Sequence, residues 1–186
     1  MAASADHDRG DAACISRVVV HDDHQAFAAL VERHQSAVRQ FLRRLTGNDS
    51  SRADDLAQET FWRAYRHIRT YQGRGRFLSW LFGIAYQLFV SDERRARRMS
   101  YVPLHEEFEV TAGSGDPVAD RMTFDQLMTS LRPEERAAVV MHYRHELTHP
   151  EIAEALGVPV GTVKSLIRRA RMKLQAAYSP ETGGVD

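Results

Sequence analysis

The chain has 186 residues, 43% of them hydrophobic, which is enough to build one or two folded domains of ordinary size. Lysine plus arginine equals aspartate plus glutamate at 25 each, so the total charge gives no sign of a nucleic-acid partner. A single cysteine, Cys14, excludes an internal disulfide and a cysteine zinc site.

The beginning of the chain carries no targeting signal that we can recognise. Residues 1–14 are small and polar, which predicts a disordered leader and excludes the apolar core of a signal peptide. The longest stretch without a charge, residues 77–91, is too short to cross a membrane as a helix. We therefore expect no membrane insertion and a cytoplasmic protein.

Three helices are predicted in a first domain over residues 15–98. Apolar residues recur at helical spacing over 27–45, and the "TGN" that follows ends this helix. Ser50 or Ser51 can cap a second helix. After the glycine-containing loop "YQGRGRF", a third helix is predicted over 77–98, and its basic end suits the negative end of the helix dipole.

A flexible linker and a second helical domain are predicted next. Residues 99–117 lose the helical period and contain proline and glycine in an acidic context. A second domain is predicted over 118–178, with helices from Pro133 and from Thr148, and residues 179–186 form a tail. The predicted fold class is all-α, with two small helical domains joined by a flexible linker.

The sequence "HELTH" at 145–149 matches H-E-x-x-H, in which two histidines on one helix bind zinc. Proline is tolerated in the first turn of a helix but not in its interior, and Pro150 follows the second histidine. Thr148 and Glu151 form a T-x-x-E capping box. We predict a helix boundary between the two histidines, no metal site and no cofactor, with a zinc hydrolase as the minor alternative.

Residues 148–174 predict a helix-turn-helix, with Gly157 at the turn. From Val160 to Tyr178 there are five basic residues and no acidic one. Arginine can pair with guanine, and lysine or serine can hold a phosphate or a base edge. The outward-facing candidates on this helix are Lys164, Ser165, Arg168 and Arg169. A helical hairpin with a solvated basic side is the alternative.

Together these motifs resemble the extracytoplasmic-function (ECF) sigma factors of the sigma-70 family, over about residues 15–178. "DDLAQETFWRAYRHI" (54–68) resembles the core-polymerase-binding helix of the family, and "SWLFGIAYQL" (79–88) resembles its promoter-melting segment. Residues 131–174 resemble its −35-reading domain, which contains the helix-turn-helix. The resemblance implies a transcription initiation factor, not an enzyme.

The resemblance also implies partners. These are the clamp helices of the largest polymerase subunit, the flap of the second largest subunit, promoter DNA, and an anti-sigma factor or another regulator. The residues implied for core-polymerase binding are Asp54, Asp55, Gln58, Glu59 and Phe61. Those implied for the −10 element are Tyr71, Gln72, Arg74, Arg76, Phe77, Trp80 and Gln87. Those implied for the −35 element are Thr162, Lys164, Ser165, Arg168 and Arg169.

Physical properties of these residues suit the implied roles. Asp55 and Glu59 lie on adjacent turns and offer an acidic face to a basic coiled coil. Around "YQGRGRF", glycines let a nucleotide approach, arginines attract phosphate, and aromatic rings can support an unpaired base. For Trp80, a core position and a base contact are equally compatible with the sequence.

The chain departs from the family pattern at several positions. After "IA" the family usually has a basic residue, asparagine and leucine, then an aspartate; here Tyr86, Gln87 and Leu88 follow, and later Ser91. Leu166 stands where arginine is common. These departures leave the promoter preference open. An ordinary helix-turn-helix regulator remains the second alternative, although it does not account for the acidic helix or the aromatic loop.

Overall fold

The computed structural model describes residues 2–99, 127–128 and 130–178, and the regular secondary structure of these residues is helical, with no strand among them. The helices are α1 (Ala2–His21), α2 (His24–Leu45), α3 (Ser50–His67), α4 (Phe77–Met99), α5 (Pro133–Val139), α6 (His149–Leu156) and α7 (Val160–Tyr178). A 3-10 turn (Ile68–Thr70) follows α3, and a π-helical turn (Val140–Arg144) follows α5. Most of the predicted linker and the tail lie outside the described residues.

Helix α1 shows that the expected disordered leader over 1–14 is wrong. Asp11 is only 3% exposed, and its carboxylate accepts a hydrogen bond from Arg33 and lies 2.8 Å from the Nε2 atom of His34, both on α2. Cys14 packs half-buried against the core. The helix was missed because it is held partly by buried polar contacts, which leave no apolar period in its first half.

Helices α2, α3 and α4 form the first unit, close to the predicted bounds. The rings of Phe41 and Phe82 meet in its core at 4.5 Å between centroids, and both are fully buried. One detail differs from the prediction: the side chain of Asp49 caps α3 by accepting a hydrogen bond from the Arg52 amide at 3.0 Å, and neither Ser50 nor Ser51 is the cap. Aspartate is equally favoured at this position.

Helices α5, α6 and α7 form the second unit. The hydroxyl of Thr148 accepts a hydrogen bond from the Glu151 amide, and the Glu151 carboxylate accepts one from the Thr148 amide. Gly157 ends α6 in the left-handed region at φ 67°, where glycine carries no steric penalty. The predicted capping box and glycine turn are therefore both confirmed.

The two units pack against each other and share one continuous apolar core, which the sequence did not predict. Helix α4 of the first unit lies along α6 of the second. The buried guanidinium of Arg136 on α5 donates a hydrogen bond of 2.9 Å to the Leu45 carbonyl at the end of α2. This bond satisfies a carbonyl that the helix itself leaves open.

Candidate nucleic-acid interface

An acidic face lies on the exposed side of α3. Asp55, Gln58, Glu59 and Trp62 line one shallow depression there. Glu59 is paired within the helix to Arg63 at 2.7 Å, and Asp54 lies 3.3 Å from Arg39 on α2. Three of the predicted core-binding residues are thus brought together, while Asp54 lies beside them in an ion pair.

Trp62 is the residue of this face that sequence reasoning missed. Its side chain is 53% exposed, and the Arg66 guanidinium lies 4.7 Å from the ring centroid. Phe61, which was predicted to take part, is instead partly buried and packs against the core. The signal for Trp62 was available, because a large aromatic residue off the buried stripe of a helix is typical of interfaces.

The loop between α3 and α4 carries a cluster of three aromatic rings. The Trp80 centroid lies 5.6 Å from that of Tyr71 and 5.4 Å from that of Phe77. The Tyr71 hydroxyl donates to the Gly75 carbonyl and holds the loop closed. Phe77, which was predicted to support a base, is 2% exposed and packs edge-on against the His34 ring, so its ring lies in the core in this structure.

Trp80 and Gln87 lie at the rim of this cluster. Gln87 is exposed and Trp80 is half-buried, and both line a cavity of about 390 Å³. Glu154, Ala155 and Gly157 of the second unit form another part of its lining. Gln72 and Arg74 are exposed in the loop nearby. The predicted −10 residues other than Phe77 therefore present at least part of their surface.

Arg76 is bound to the second unit. Its backbone N–H and its Nε donate to one Glu151 oxygen at 3.2 and 3.1 Å. Its terminal nitrogen donates to the carbonyls of His145 and Glu146 at 3.2 and 2.7 Å. Burial alone raises the pKa of the Glu151 carboxyl, but hydrogen bonds from Thr148 and Arg76, with the charge of Arg76, outweigh it and leave the pKa lowered.

The second helix of the helix-turn-helix, α7, has one buried and one basic face. Val163, Ile167 and Ala170 are buried against the rest of the unit. Its exposed residues include Lys164, Ser165, Arg168, Arg169 and Arg171. Thr162, also predicted to contact DNA, is half-buried. Leu166 is 7% exposed and belongs to the core, so the position where the family often has arginine faces inward in this chain.

One buried carboxylate lies under the basic face of α7. Glu135 is 2% exposed, and its carboxylate accepts a hydrogen bond from Lys173 at 2.6 Å and one from the Arg132 amide at 3.1 Å. Burial alone raises the pKa of Glu135, but these hydrogen bonds and the nearby cations Lys173 and Arg169 lower it overall. The carboxylate therefore stays charged and ties α7 to the start of α5.

The "HELTH" histidines lie on different elements, as predicted. His149 begins α6, whereas His145 follows the π-helical turn and packs edge-on against the Phe82 ring at 4.7 Å. Burial, with the charges of Arg144 and Arg76, lowers the pKa of His145 to about 4. Within the described part of the chain, no group of three or more histidine, cysteine, aspartate or glutamate residues is arranged to hold a metal ion.

An all-helical pair of units with a basic helix-turn-helix defines a DNA-binding protein of the transcription class. Residues 30–99 match the family described as Sigma-70 region 2, and residues 121–174 match Sigma-70, region 4. The chain belongs to the ECF RNA polymerase sigma factors of the sigma-70 family.

Two curated relatives carry this assignment. The chain is 34% identical over 169 residues to the ECF RNA polymerase sigma factor SigW of Bacillus subtilis, which covers 82% of this chain and 89% of SigW. It is 37% identical over 164 residues to SigE of Mycolicibacterium smegmatis, covering 82% of this chain but 63% of the length of SigE.

Solved structures show the same fold. One is the sigma factor RpoE in complex with the anti-sigma factor NepR from Bartonella quintana, with 22% identity, a TM-score of 0.64 and coverage of 81% of this chain and 95% of that chain. Another is CnrH in complex with the cytosolic domain of CnrY, with 25% identity, a TM-score of 0.66 and coverage of 90% and 96%. No described helix of the present chain is long and apolar enough to span a membrane.

Proposed function

We propose that this chain binds core RNA polymerase and directs transcription to promoters by contacting their −10 and −35 elements. The observation that carries the proposal is the presence of regions 2 and 4, in that order, on one chain with an acidic aromatic face on the first unit and a basic helix-turn-helix in the second. An ordinary helix-turn-helix regulator does not account for the acidic face and the aromatic loop of the first unit.

The polymerase contact is assigned to α3. Asp55, Gln58 and Glu59 supply an acidic polar surface that suits a basic coiled coil such as the clamp helices of the largest subunit. Trp62 adds an exposed aromatic ring beside them, and buried aromatic anchors supply much of the binding energy of protein interfaces. The flap of the second largest subunit is the partner assigned to the second unit.

The −10 contact is assigned to the loop after α3 and to the adjacent face of α4. Tyr71 and Trp80 offer ring surfaces for an unpaired base, and the exposed amide of Gln87 offers both a donor and an acceptor to a base edge. Gln72 and Arg74 lie in the exposed loop, where Arg74 can attract phosphate. Opening of the duplex follows from stronger binding to the unpaired strand than to the duplex.

The −35 contact is assigned to α7. Lys164, Ser165, Arg168 and Arg169 project from its exposed face, and Thr162 lies half-buried near its first turn. The Ser165 hydroxyl donates to the Gly161 carbonyl at 3.0 Å, which leaves its oxygen as an acceptor. Arginine is suited to guanine in the major groove, and lysine to the phosphate backbone.

No catalytic role is included in the proposal, because initiation by a sigma factor requires only selective binding. The site of action that we propose is the cytoplasm, at the nucleoid. The RpoE relative was solved with an anti-sigma factor, and a regulator of that kind is a further partner that we propose for this chain.

Transcription by core polymerase with the purified chain added, mapped over fragmented genomic DNA, tests the function directly. Asp55→Lys combined with Glu59→Lys should abolish core binding and transcription without changing the melting temperature, because exposed helix charges contribute little to stability. Glu32→Lys, an exposed carboxylate on α2, is the control. If the chain neither co-purifies with core polymerase nor starts transcripts, the helix-turn-helix regulator is the better explanation.

A further inference from the structure

A buried carboxylate links α1 to α2. Asp11 is 3% exposed and His34 is 7% exposed. One oxygen of the Asp11 carboxylate lies 2.8 Å from the Nε2 atom of His34, and the Arg33 guanidinium donates a hydrogen bond to the other oxygen. Both oxygens of the carboxylate therefore have a partner on α2.

This carboxylate restricts how the ring of His34 can turn. Burial alone raises the pKa of Asp11, but hydrogen bonds and charges from His34 and Arg33 outweigh it and leave the pKa lowered. An ionised carboxylate only accepts hydrogen bonds, so the Nε2 atom of His34 carries a proton and donates it to Asp11. Because leaving a buried donor unpaired is unfavourable, the ring has one preferred orientation.

The ring of His34 also touches the aromatic cluster of the loop between α3 and α4. Its centroid lies 5.5 Å from that of Phe77, the first residue of α4, in an edge-on contact. The Phe77 centroid in turn lies 5.4 Å from those of Tyr71 and Trp80. A packed interior leaves little space for one ring to turn alone. A line of contacts therefore runs from α1 to the two rings that we assign to an unpaired base.

We propose that Asp11 is a positioning residue for the −10 element, acting through the rings of His34 and Phe77. It fixes the orientation of Tyr71 and Trp80, so that both rings can receive an unpaired base. The proposal rests on the −10 assignment made above. It gives Phe77 a role in promoter opening although its ring is buried, and it extends that role to α1, from which no contact with DNA or polymerase was predicted.

Two substitutions interrupt this line at different steps. Asp11→Ala leaves the Nε2 atom of His34 without its buried acceptor. His34→Gln keeps an N–H donor for Asp11 but removes the ring that packs on Phe77. Val18→Ala is the matched control, because it truncates another buried side chain of α1, about two turns further along the helix.

The orientation of Trp80 can be followed without any DNA. The chain has two tryptophans, Trp62 and Trp80, so Trp62→Phe leaves Trp80 as the single tryptophan. In that background we expect Asp11→Ala and His34→Gln each to raise the acrylamide quenching constant about twofold, because the ring gains exposure when the packing behind it loosens. Val18→Ala should lower the free energy of unfolding in urea but leave the quenching constant unchanged.

Promoter opening is measured on holoenzyme assembled from core polymerase and the chain with Trp62 intact, at a promoter located by the genomic transcription experiment above. Permanganate footprinting gives the extent of opening, and a fragment of the largest polymerase subunit that contains the clamp helices serves as the probe for α3. Asp11→Ala and His34→Gln should each reduce opening about tenfold, since the aligned rings lose a buried polar contact or a packed neighbour. Their affinity for the clamp-helix fragment should be unchanged, and Val18→Ala should behave like the unmodified chain in both assays.

Unchanged quenching of Trp80 in either test variant, or normal opening despite altered quenching, overturns the proposal. An equal rise in quenching in Val18→Ala also overturns it, because any loosening of α1 would then have the same effect. If the unmodified chain starts no transcript, the proposed function fails, whereas the quenching constants still decide whether Asp11 positions Trp80.

Discussion

Trp62→Ala gives the sharpest test of the polymerase-binding face, because it should remove affinity while leaving the fold intact. The side chain is 53% exposed in the free chain. A tryptophan side chain contributes up to about 250 Å² of surface, so about 130 Å² remains for a partner to cover. At about 25 cal/mol per Å², covering that area contributes about 3 kcal/mol.

A reduction of that size in the binding free energy corresponds to a Kd about a hundredfold weaker for the clamp-helix fragment. The free energy of unfolding should fall by no more than about 3 kcal/mol, since the substitution removes the half of the residue's surface that packs on the chain, together with the exposed cation–π pair with Arg66. Isothermal titration calorimetry gives the Kd, and urea unfolding followed by circular dichroism gives the stability.

Met172→Ala is the matched control for this experiment. Met172 is 58% exposed on α7, in the other unit, so its truncation removes a comparable apolar surface without touching α3. Its affinity for the clamp fragment should equal that of the unmodified chain. If Trp62→Ala binds the fragment within about threefold of the unmodified chain, the ring does not lie in the interface and the area argument fails.

Other expectations follow from Glu135, α7 and Gln87. Glu135→Gln should destabilise the chain by about 1–3 kcal/mol at pH 7 in urea unfolding, because it removes a buried charged acceptor. The folded-state pKa of Glu135 is lowered from 4.5, so the difference in unfolding free energy between the variant and the unmodified chain should be constant above pH 4.5. This difference should vanish as the pH falls through the folded-state pKa. A difference that persists in acid would contradict the assignment. In DNA-binding titrations, Arg168→Ala should reduce the binding free energy by about 1–3 kcal/mol and relax the base preference at one −35 position. Lys164→Ala should instead weaken binding to all sequences alike and reduce its salt dependence. Unchanged binding in both variants would indicate a solvated face. Gln87→Ala should lower promoter opening in permanganate footprinting without changing core or −35 affinity, and Gln87→Asn should shift the preferred −10 base in a promoter library; unchanged opening and preference would make Gln87 a mere surface residue.

The elements that local sequence rules control were predicted well. The capping box at Thr148 and Glu151, the left-handed Gly157 and the apolar period over 27–45 each depend on neighbours within a few residues. Helix α1 depends instead on Asp11 meeting Arg33 and His34, partners more than twenty positions away. Such contacts leave no periodic trace in the sequence.

The sequence was less successful at predicting which of the aromatic site residues are exposed. Phe77 and Trp80 are both aromatic and close in the chain, yet the first is buried against His34 and the second lines a cavity. For Trp62 the error was the opposite one, because tryptophan is a residue type that favours the core but here it lies on the exposed face of its helix. Tyr86, at a position where the family usually has a basic residue, is 6% exposed, and burial raises its pKa to about 12, so its hydroxyl stays neutral.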